Sequence, residues 1–406
     1  MPYSGDNMMG VKRANRSAAL RVLHEQGAMS RKRLAERLRL TPAAITKIAA
    51  ELLAEGLVRE GSALPGAGAG RREIALELNP RAGCALGVLI NLRMAVLSGV
   101  WLDGGGIFSE RVPLPPKAEP EETAQKLSAR LLALAEENGL ARESIVGLGI
   151  AVRGITSPDG LTLANSFGAL GERNFPLCRR FEELTGLPAV MENNVRALFA
   201  AQTFLSRDAA QGSQFFLRCE YGIGASLSID GRIWPGVTQQ CAEIGHIPVI
   251  RRGGKPCACG KSGCLETISS PMAIREDALA LFSPERTPVL WNMCRGKGRE
   301  EITLEDVLTA ASCGDEGAAS VTDRAVASLG AALKALIYLV DPGKIVLYGH
   351  IFDHAYFLSK LLSEMSEGVD AGHAVQIEKS RYNLRLDDKA AGILAVEHFL
   401  DHGGNR

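Results

Sequence analysis

Nowhere in this 406-residue chain is there an apolar run of about eighteen residues, so no segment reads as a membrane-spanning helix. The chain does not open on a basic stretch, an apolar stretch and a small-residue cleavage site, which predicts a cytoplasmic, reducing setting. Aromatic residues are scarce at 5%, so with 46% apolar residues the core has to be aliphatic. The nine cysteines are odd in number and mostly single within apolar runs, which is no disulfide framework. Net charge is also missing: 46 basic residues balance 46 acidic ones, and a uniformly basic nucleic-acid coat is excluded.

That balance conceals a segregation. Residues 1–72 hold thirteen Lys or Arg against six Asp or Glu, a net of +7, so the rest carries −7. A basic module joined to an acidic body is the arrangement this suggests. At this length two or three domains are expected.

The basic end has helical punctuation. Asn15 to Gln26 reads as a helix with Ala18, Ala19, Val22 and Leu23 on one side, ended by Gly27. Ser30 can cap a second helix, Arg31 to Leu38, that turns Leu34, Ala35 and Leu38 inward. Thr41 and Pro42 are an N-cap and a first-turn proline for a third, which runs to Gly56. Its stripe of Ile45, Ile48, Ala49, Leu52 and Leu53 faces inward, and Ala43, Ala44, Thr46, Lys47 and Ala50 face out. Small residues let a helix approach base edges; Ala and Thr methyls suit thymine methyls, and Lys47 can reach guanine or phosphate. Arg31, Lys32, Arg33 and Arg39 surround that face and can hold the DNA backbone. Strands at Leu57–Glu60 and Ile74–Leu78 flank a glycine-rich tip ending in Arg71 and Arg72, which reads as a wing able to reach a minor groove. A small helical protein-interaction module is the alternative.

Beyond residue 80 strands and helices alternate. A hairpin is expected over Gly83–Gly99, a turn at Asp103–Gly106, a helix over 120–138 and a buried strand at Ile145–Val152. Val190 leads into a helix after Asn193, Phe215–Asp230 forms more sheet, residues 323–340 form a long helix, and Lys344–Tyr348 is a short strand. An α/β body with two lobes follows. Within it, Cys257, Cys259 and Cys264 cluster around a Gly-Lys-Ser-Gly turn, with His246 upstream. One imidazole and three thiolates are a donor set for closed, tetrahedral structural Zn²⁺; buried or redox thiols are the other reading. Glu243 and Glu266 flank the cluster, where carboxylates can pair with sugar hydroxyls; solvated surface is the alternative.

These residues resemble those of the ROK family of repressors, open reading frames and sugar kinases. Glu243-Ile-Gly-His246 and Cys257-x-Cys259-Gly-x-x-Gly-Cys264-Leu-Glu266 are similar to its hallmark motifs, and residues 15–60 to the helix-turn-helix of its repressor branch. Val340–Gly349 resembles the segment near the nucleotide in the kinases, and Gly222–Gly231 the glycine turn and strand after the sugar site. The resemblance implies an α/β chain: a winged helix-turn-helix over 1–80, then a two-lobed actin-like ATPase fold over 81–406 with a ligand cleft and a zinc loop at 241–266. It further implies that Asn193, Glu243, His246 and Glu266 face a monosaccharide, with Asn194 in the catalytic place and Asn165 as a further contact.

Two departures bear on activity. The kinases wrap ATP phosphates with Asp-x-Gly-Gly-Thr-Lys, where this chain has Leu89-Ile90-Asn91-Leu92-Arg93-Met94. The catalytic Asp of a Glu-Asn-Asp sequence is here Asn194, an amide that cannot take up a proton. Tyr221, Ser226 and His350 also replace glycine- or threonine-rich positions near the nucleotide. The resulting expectation is a cytoplasmic, sugar-responsive regulator without kinase activity, binding a double-stranded operator as a homodimer or dimer of dimers. An active sugar kinase with an accessory DNA module, or a ligand-free dimer scaffold, are the alternatives.

Overall fold

The computed structural model describes residues 8–63, 73–171, 174–207, 212–367, 375–382 and 385–405. The chain divides into two compact units, residues 1–209 with 385–406, and residues 210–384.

The first unit begins with α1 (Met8–Gln26), β1 (Met29–Ser30), α2 (Arg31–Leu38), α3 (Pro42–Ala54), β2 (Val58–Ala63) and β3 (Ile74–Leu78). The caps are those the sequence suggests: Ser30 Oγ accepts the Arg33 N–H at 3.2 Å and Thr41 Oγ1 accepts that of Ala44 at 3.2 Å. Ile45, Ile48, Ala49 and Leu52 are buried, while Leu53 is only partly so. The strands form an antiparallel sheet in the order β1-β3-β2, so the wing is a three-stranded structure with β1 supplied between α1 and α2. Two details differ from the sequence reading. Helix α1 starts at Met8 rather than Asn15, adding a largely exposed first part that carries no apolar stripe to read, and β2 starts one residue later and runs to Ala63.

The same unit continues through β4 (Cys84–Ile90), β5 (Met94–Trp101), β6 (Gly106–Pro113), α4 (Pro120–Glu137), β7 (Ile145–Val152), β8 (Ile155–Thr156), β9 (Leu163–Asn165), α5 (Leu177–Thr185), β10 (Ala189–Asn193) and α6 (Asn194–Ser206). Its five-stranded sheet runs β10-β7-β4-β5-β6; β4, β7 and β10 are parallel, and the β4-β5-β6 meander is antiparallel. Strands β4 and β7 are buried at every position, which is why they read as continuous apolar runs rather than alternating ones. Leu127 and Leu131 of α4 and Phe181 of α5 pack with Leu86, Val88, Leu148 and Ile150 in one core. Each such fully buried side chain contributes about 1.5–3 kcal/mol. The chain returns to this unit at its end as α13 (Ala390–Asp401), packed on β4, β7 and α6 and against α1.

The second unit contains β11 (Ser213–Cys219), β12 (Ile223–Ile229), β13 (Arg232–Ile233), α7 (Glu266–Ser269), α8 (Pro271–Leu281), α9 (Pro288–Met293), α10 (Leu304–Ser312), α11 (Glu316–Val340), β14 (Lys344–Tyr348), α12 (Ala355–Ser366) and β15 (Gln376–Lys379). Its sheet, β13-β12-β11-β14-β15, repeats the first unit's plan of an antiparallel meander joined to parallel strands. This duplication is the two-domain α/β architecture of the actin-like fold. The long helix α11 starts seven residues earlier than its apolar run suggests, since Asp315 accepts the Ala318 N–H at 2.9 Å and caps it there. The same carboxylate also takes the Val289 and Leu290 N–H groups at 2.9 Å, fixing the start of α9.

Candidate metal centre and DNA-reading face

In the second unit the chain after β13 turns back on itself to bring four donors together. One ligand atom from each of His246, Cys257, Cys259 and Cys264 lies within 4.8 Å of the others. Cys257 Sγ is 3.5 Å from His246 Nδ1, and Cys259 Sγ is 3.6 Å from Cys264 Sγ. A tetrahedral ion with zinc–sulfur bonds of about 2.3 Å holds neighbouring donors about 3.3–3.8 Å apart, so the set fits zinc with little adjustment. The backbone builds this cluster: Cys257 donates to the Lys261 carbonyl at 2.8 Å, and Gly263 to that of Lys255 at 2.9 Å. Gly263 is obligatory, at φ 73° and with its Cα so near the Ile250 carbonyl that a Cβ would stand 2.1 Å from that oxygen.

The thiols respond to their surroundings in opposite directions. Burial, with the neighbouring thiols, pushes Cys264 up to about 12. At Cys259 the loss of hydration is outweighed by the Lys261 N–H and by hydrogen bonds from Cys257 and Cys264, leaving the thiol below its ordinary value. His246 spends Nδ1 on the thiols, while its Nε2 lies 3.9 Å from Glu243 Oε2. Glu266 opens α7 immediately after the cluster, and its carboxylate accepts the Ile223 N–H at 2.9 Å. Glu243, His246 and Glu266 are thus carried by one zinc-type loop.

The asparagines belong to the first unit. Asn193 caps α6: its Oδ1 accepts the N–H groups of Val195 at 2.8 Å and Arg196 at 3.2 Å, and its Nδ2 donates to the Gly154 carbonyl at 2.7 Å. The second N–H of that amide makes no hydrogen bond among the described residues. Asn165 ends β9, paired with Ile155 beside Gly154, and its Oδ1 accepts the Phe167 N–H at 3.0 Å. Asn194 is buried and donates through Nδ2 to Asn91 Oδ1 at 2.8 Å. The sequence reading treated Asn91 only as a lost phosphate-loop position, and pairing across 103 residues gave no local signal. Ser226 is buried on β12, whereas Tyr221 is exposed. Glu220, unremarked in the sequence, accepts the His350 N–H at 2.7 Å, so a carboxylate occupies a backbone donor after β14.

On α3, Ala43, Thr46, Lys47 and Ala50 are exposed and Ala44 is half-buried. The Thr46 hydroxyl donates to the Pro42 carbonyl at 2.8 Å, which leaves its methyl as the uncommitted group. Lys47 forms no ion pair among the described residues. Arg31 is partly committed, to Glu60 of β2 at 2.9 Å, and Arg39 is an exposed left-handed C-cap on α2. Arg71 and Arg72 lie outside the described residues.

Comparison with known proteins assigns the family. The ROK family model matches residues 105–393. This chain belongs to the ROK family. A MarR family model matches residues 14–60, within the helical module. The DNA-binding transcriptional dual regulator NagC of Escherichia coli K12 is 28% identical over 344 residues, 84% of this chain and 81% of NagC. A crystal structure described as a ROK family transcriptional regulator, homolog of the E. coli MLC protein, superposes with a TM-score of 0.80 at 23% identity, covering 97% of this chain and 98% of that one. A ROK family glucokinase from Streptomyces griseus, solved with glucose and AMPPNP, has a TM-score of 0.65 at 22% identity; 77% of this chain covers 99% of it. Both structures establish the fold.

Proposed function

We propose that this ROK protein is a sugar-responsive, DNA-binding transcriptional repressor of carbohydrate-utilisation genes, and that it does not phosphorylate its sugar. The observation that carries the reading is the outward face of α3: small at its capped start, then Thr46 and Lys47, beside a wing, on a family body. Similarity to NagC, a named DNA-binding regulator, over 84% of the chain supports it. In this reading residues 1–80 contact DNA through Thr41, Ala43, Ala44, Thr46 and Lys47, with Arg31, Arg39, Arg71 and Arg72 on the backbone. Residues 81–406 bind a monosaccharide or its derivative through Asn165, Asn193, Asn194, Glu243, His246 and Glu266.

Phosphoryl transfer requires a proton acceptor at the sugar hydroxyl and a cradle for phosphate. Asn194 offers an amide already engaged with Asn91, and Glu220 places negative charge on a backbone donor near Gly349. A homodimer would match two operator half-sites about 34–36 Å apart. Sugar binding would act by favouring one of two placements of the DNA modules, a coupling of about 1–3 kcal/mol. The test is a gel shift of zinc-loaded protein on its own upstream DNA at stated salt, with and without monosaccharides that raise its melting temperature. No retardation at low salt, or ATP consumed in step with a hexose, would overturn the reading.

A further inference from the structure

A cavity of about 310 Å³ lies within the first unit, where α1, the starts of β7 and β10, and the end of α13 meet. That volume is at the lower end of small-molecule sites, about 300–1,000 Å³. Its floor is apolar, from Val146, Leu148 and Phe399, and its rim is polar, from Arg13, His398 and His402. The two imidazoles are one helical turn apart with ring centroids separated by 4.1 Å. His402 Nδ1 lies 2.7 Å from the His398 carbonyl, so it carries a proton; Nε2 accepts in the neutral ring and donates in the protonated one. Arg13 is exposed and forms no ion pair or hydrogen bond among the described residues. The carboxylates of the same helical turn do not line the cavity: Asp401 is paired with Arg21, one face round.

This cavity is walled by both parts of the unit. Arg13 belongs to α1, and the tail of α13 folds directly onto that helix. Gly403, at φ 70°, makes the turn; a Cβ there would lie 3.0 Å from the Arg13 carbonyl oxygen and 3.1 Å from Arg16 Cβ. Arg16 in turn donates to the Gly403 carbonyl at 2.9 Å. A metal ion does not suit the place, since His398 and His402 belong to no cluster of three metal-type donors among the described residues, and a guanidinium shares the rim.

We propose that the cavity is a second ligand site, for a small amphipathic anion: a carboxylate or phosphate monoester held by Arg13, His398 and His402, with a compact apolar body on the floor. The Arg13 guanidinium supplies the permanent charge and donors for a carboxylate or phosphate, His402 Nε2 donates to it as the protonated ring, and the floor excludes a fully hydrated ion. The occupant ties α1 to α13 and so stiffens the seat of the N-terminal module. Only that regulatory consequence rests on the proposed DNA-binding function; the binding does not.

The experiment is isothermal titration of the zinc-loaded full chain with phenyl phosphate and with benzoate, with inorganic phosphate and phenol as controls. One saturable site per chain is expected for at least one of the two amphipathic anions, weakened about tenfold or more in Arg13→Ala and in His402→Gln. Arg13 is exposed, so its variant tests binding without disturbing the core; Cys313→Ser, at an exposed residue outside the lining, should bind as wild type. Absence of saturation by either probe up to about 1 mM would overturn the proposal. So would affinity unchanged in both variants, or inorganic phosphate binding as tightly as phenyl phosphate. Because no DNA is present, this outcome is independent of whether the chain binds an operator.

Discussion

Removing the metal should cost the second unit a large part of its stability, and the geometry sets the scale. The four donor atoms already stand within 4.8 Å, two pairs of them at 3.5 and 3.6 Å, so binding an ion orders little that is not ordered already. An ion present at a hundredfold its dissociation constant adds about 2.7 kcal/mol to the native state. For a domain the size of residues 210–384, each kcal/mol moves the midpoint by about 2–4 °C, so chelation should lower it by roughly 5–10 °C. Cys259→Ser leaves three donors and should bring zinc below one per chain. Cys264→Ser should be worse, because its sulfur position is fully buried and the new hydroxyl has to be desolvated. Cys313→Ser, at an exposed cysteine outside the cluster, is the control. Metal analysis and thermal melts with and without a chelator decide the matter. Stoichiometric zinc in Cys259→Ser, together with a melt indifferent to chelation, would falsify the zinc assignment.

Lys47→Ala should weaken operator binding by about 1–3 kcal/mol if the amine reads a base, or reduce the salt slope by about one if it meets a phosphate; salt-series gel shifts distinguish these. His24 is buried, stacked on Phe204 at 3.8 Å, with Nε2 2.9 Å from that residue's carbonyl. Burial, partly offset by that carbonyl and reinforced by the nearby Arg207 charge, holds its pKa below the ordinary value. The unfolded chain therefore binds the extra proton first, so this contribution is complete above about pH 6.5 and lost as the pH falls below it. Glu397, raised to about 7 by loss of hydration, shifts stability the opposite way. The comparison is accordingly between wild type and His24→Phe: wild type should lose more stability from pH 7.5 to 5.5, and parallel melts would refute the assignment. Asn194→Asp should remain folded, since Asn91 can turn its amide to donate, yet show no hexose-dependent ATP turnover in a coupled assay; measurable turnover would mean that a single amide was all that separated this chain from a kinase.

What the sequence made legible was local. Caps, apolar stripes and the parallel strands β4 and β7 announce themselves in consecutive residues, as Thr41-Pro42 and Ile145–Val152 illustrate. The zinc loop was equally readable, because three of its four donors lie within eight residues and glycines mark the turns. Helices α8, α9, α10, α12 and α13 were not singled out; α9, for instance, has six residues, too few to display a helical period. Asn193 illustrates the limit on individual roles. Its presence before a helix was visible, but not that capping α6 and bonding to Gly154 would engage most of its amide. Long-range pairs such as Asn91 with Asn194, or Arg16 with Gly403, leave no periodic trace in either partner.

Those long-range pairs are also what join the N-terminal module to the rest of its unit. Helix α6 begins with the buried Asn194 and carries, ten residues later, the Phe204 ring and carbonyl that hold His24 of α1. At a rise of about 1.5 Å per residue these points are roughly 15 Å apart on one largely buried and therefore stiff helix. A second anchor is Arg16, buried on α1, which reaches the Gly403 carbonyl and the carboxylates of Glu55 and Glu51 around α3. Arg16 and His24 are eight residues apart, about 12 Å along α1, with the Arg21–Asp401 ion pair between them, so that helix is fixed at more than one point. Anchors spaced along it set its direction as well as its position. In the proposed regulator, a shift of α6 at its asparagine end would be passed to α1 through His24, and to α3 through Arg16 and Glu55. The contacts that seat the module thus include the helix that Asn193 and Asn194 begin.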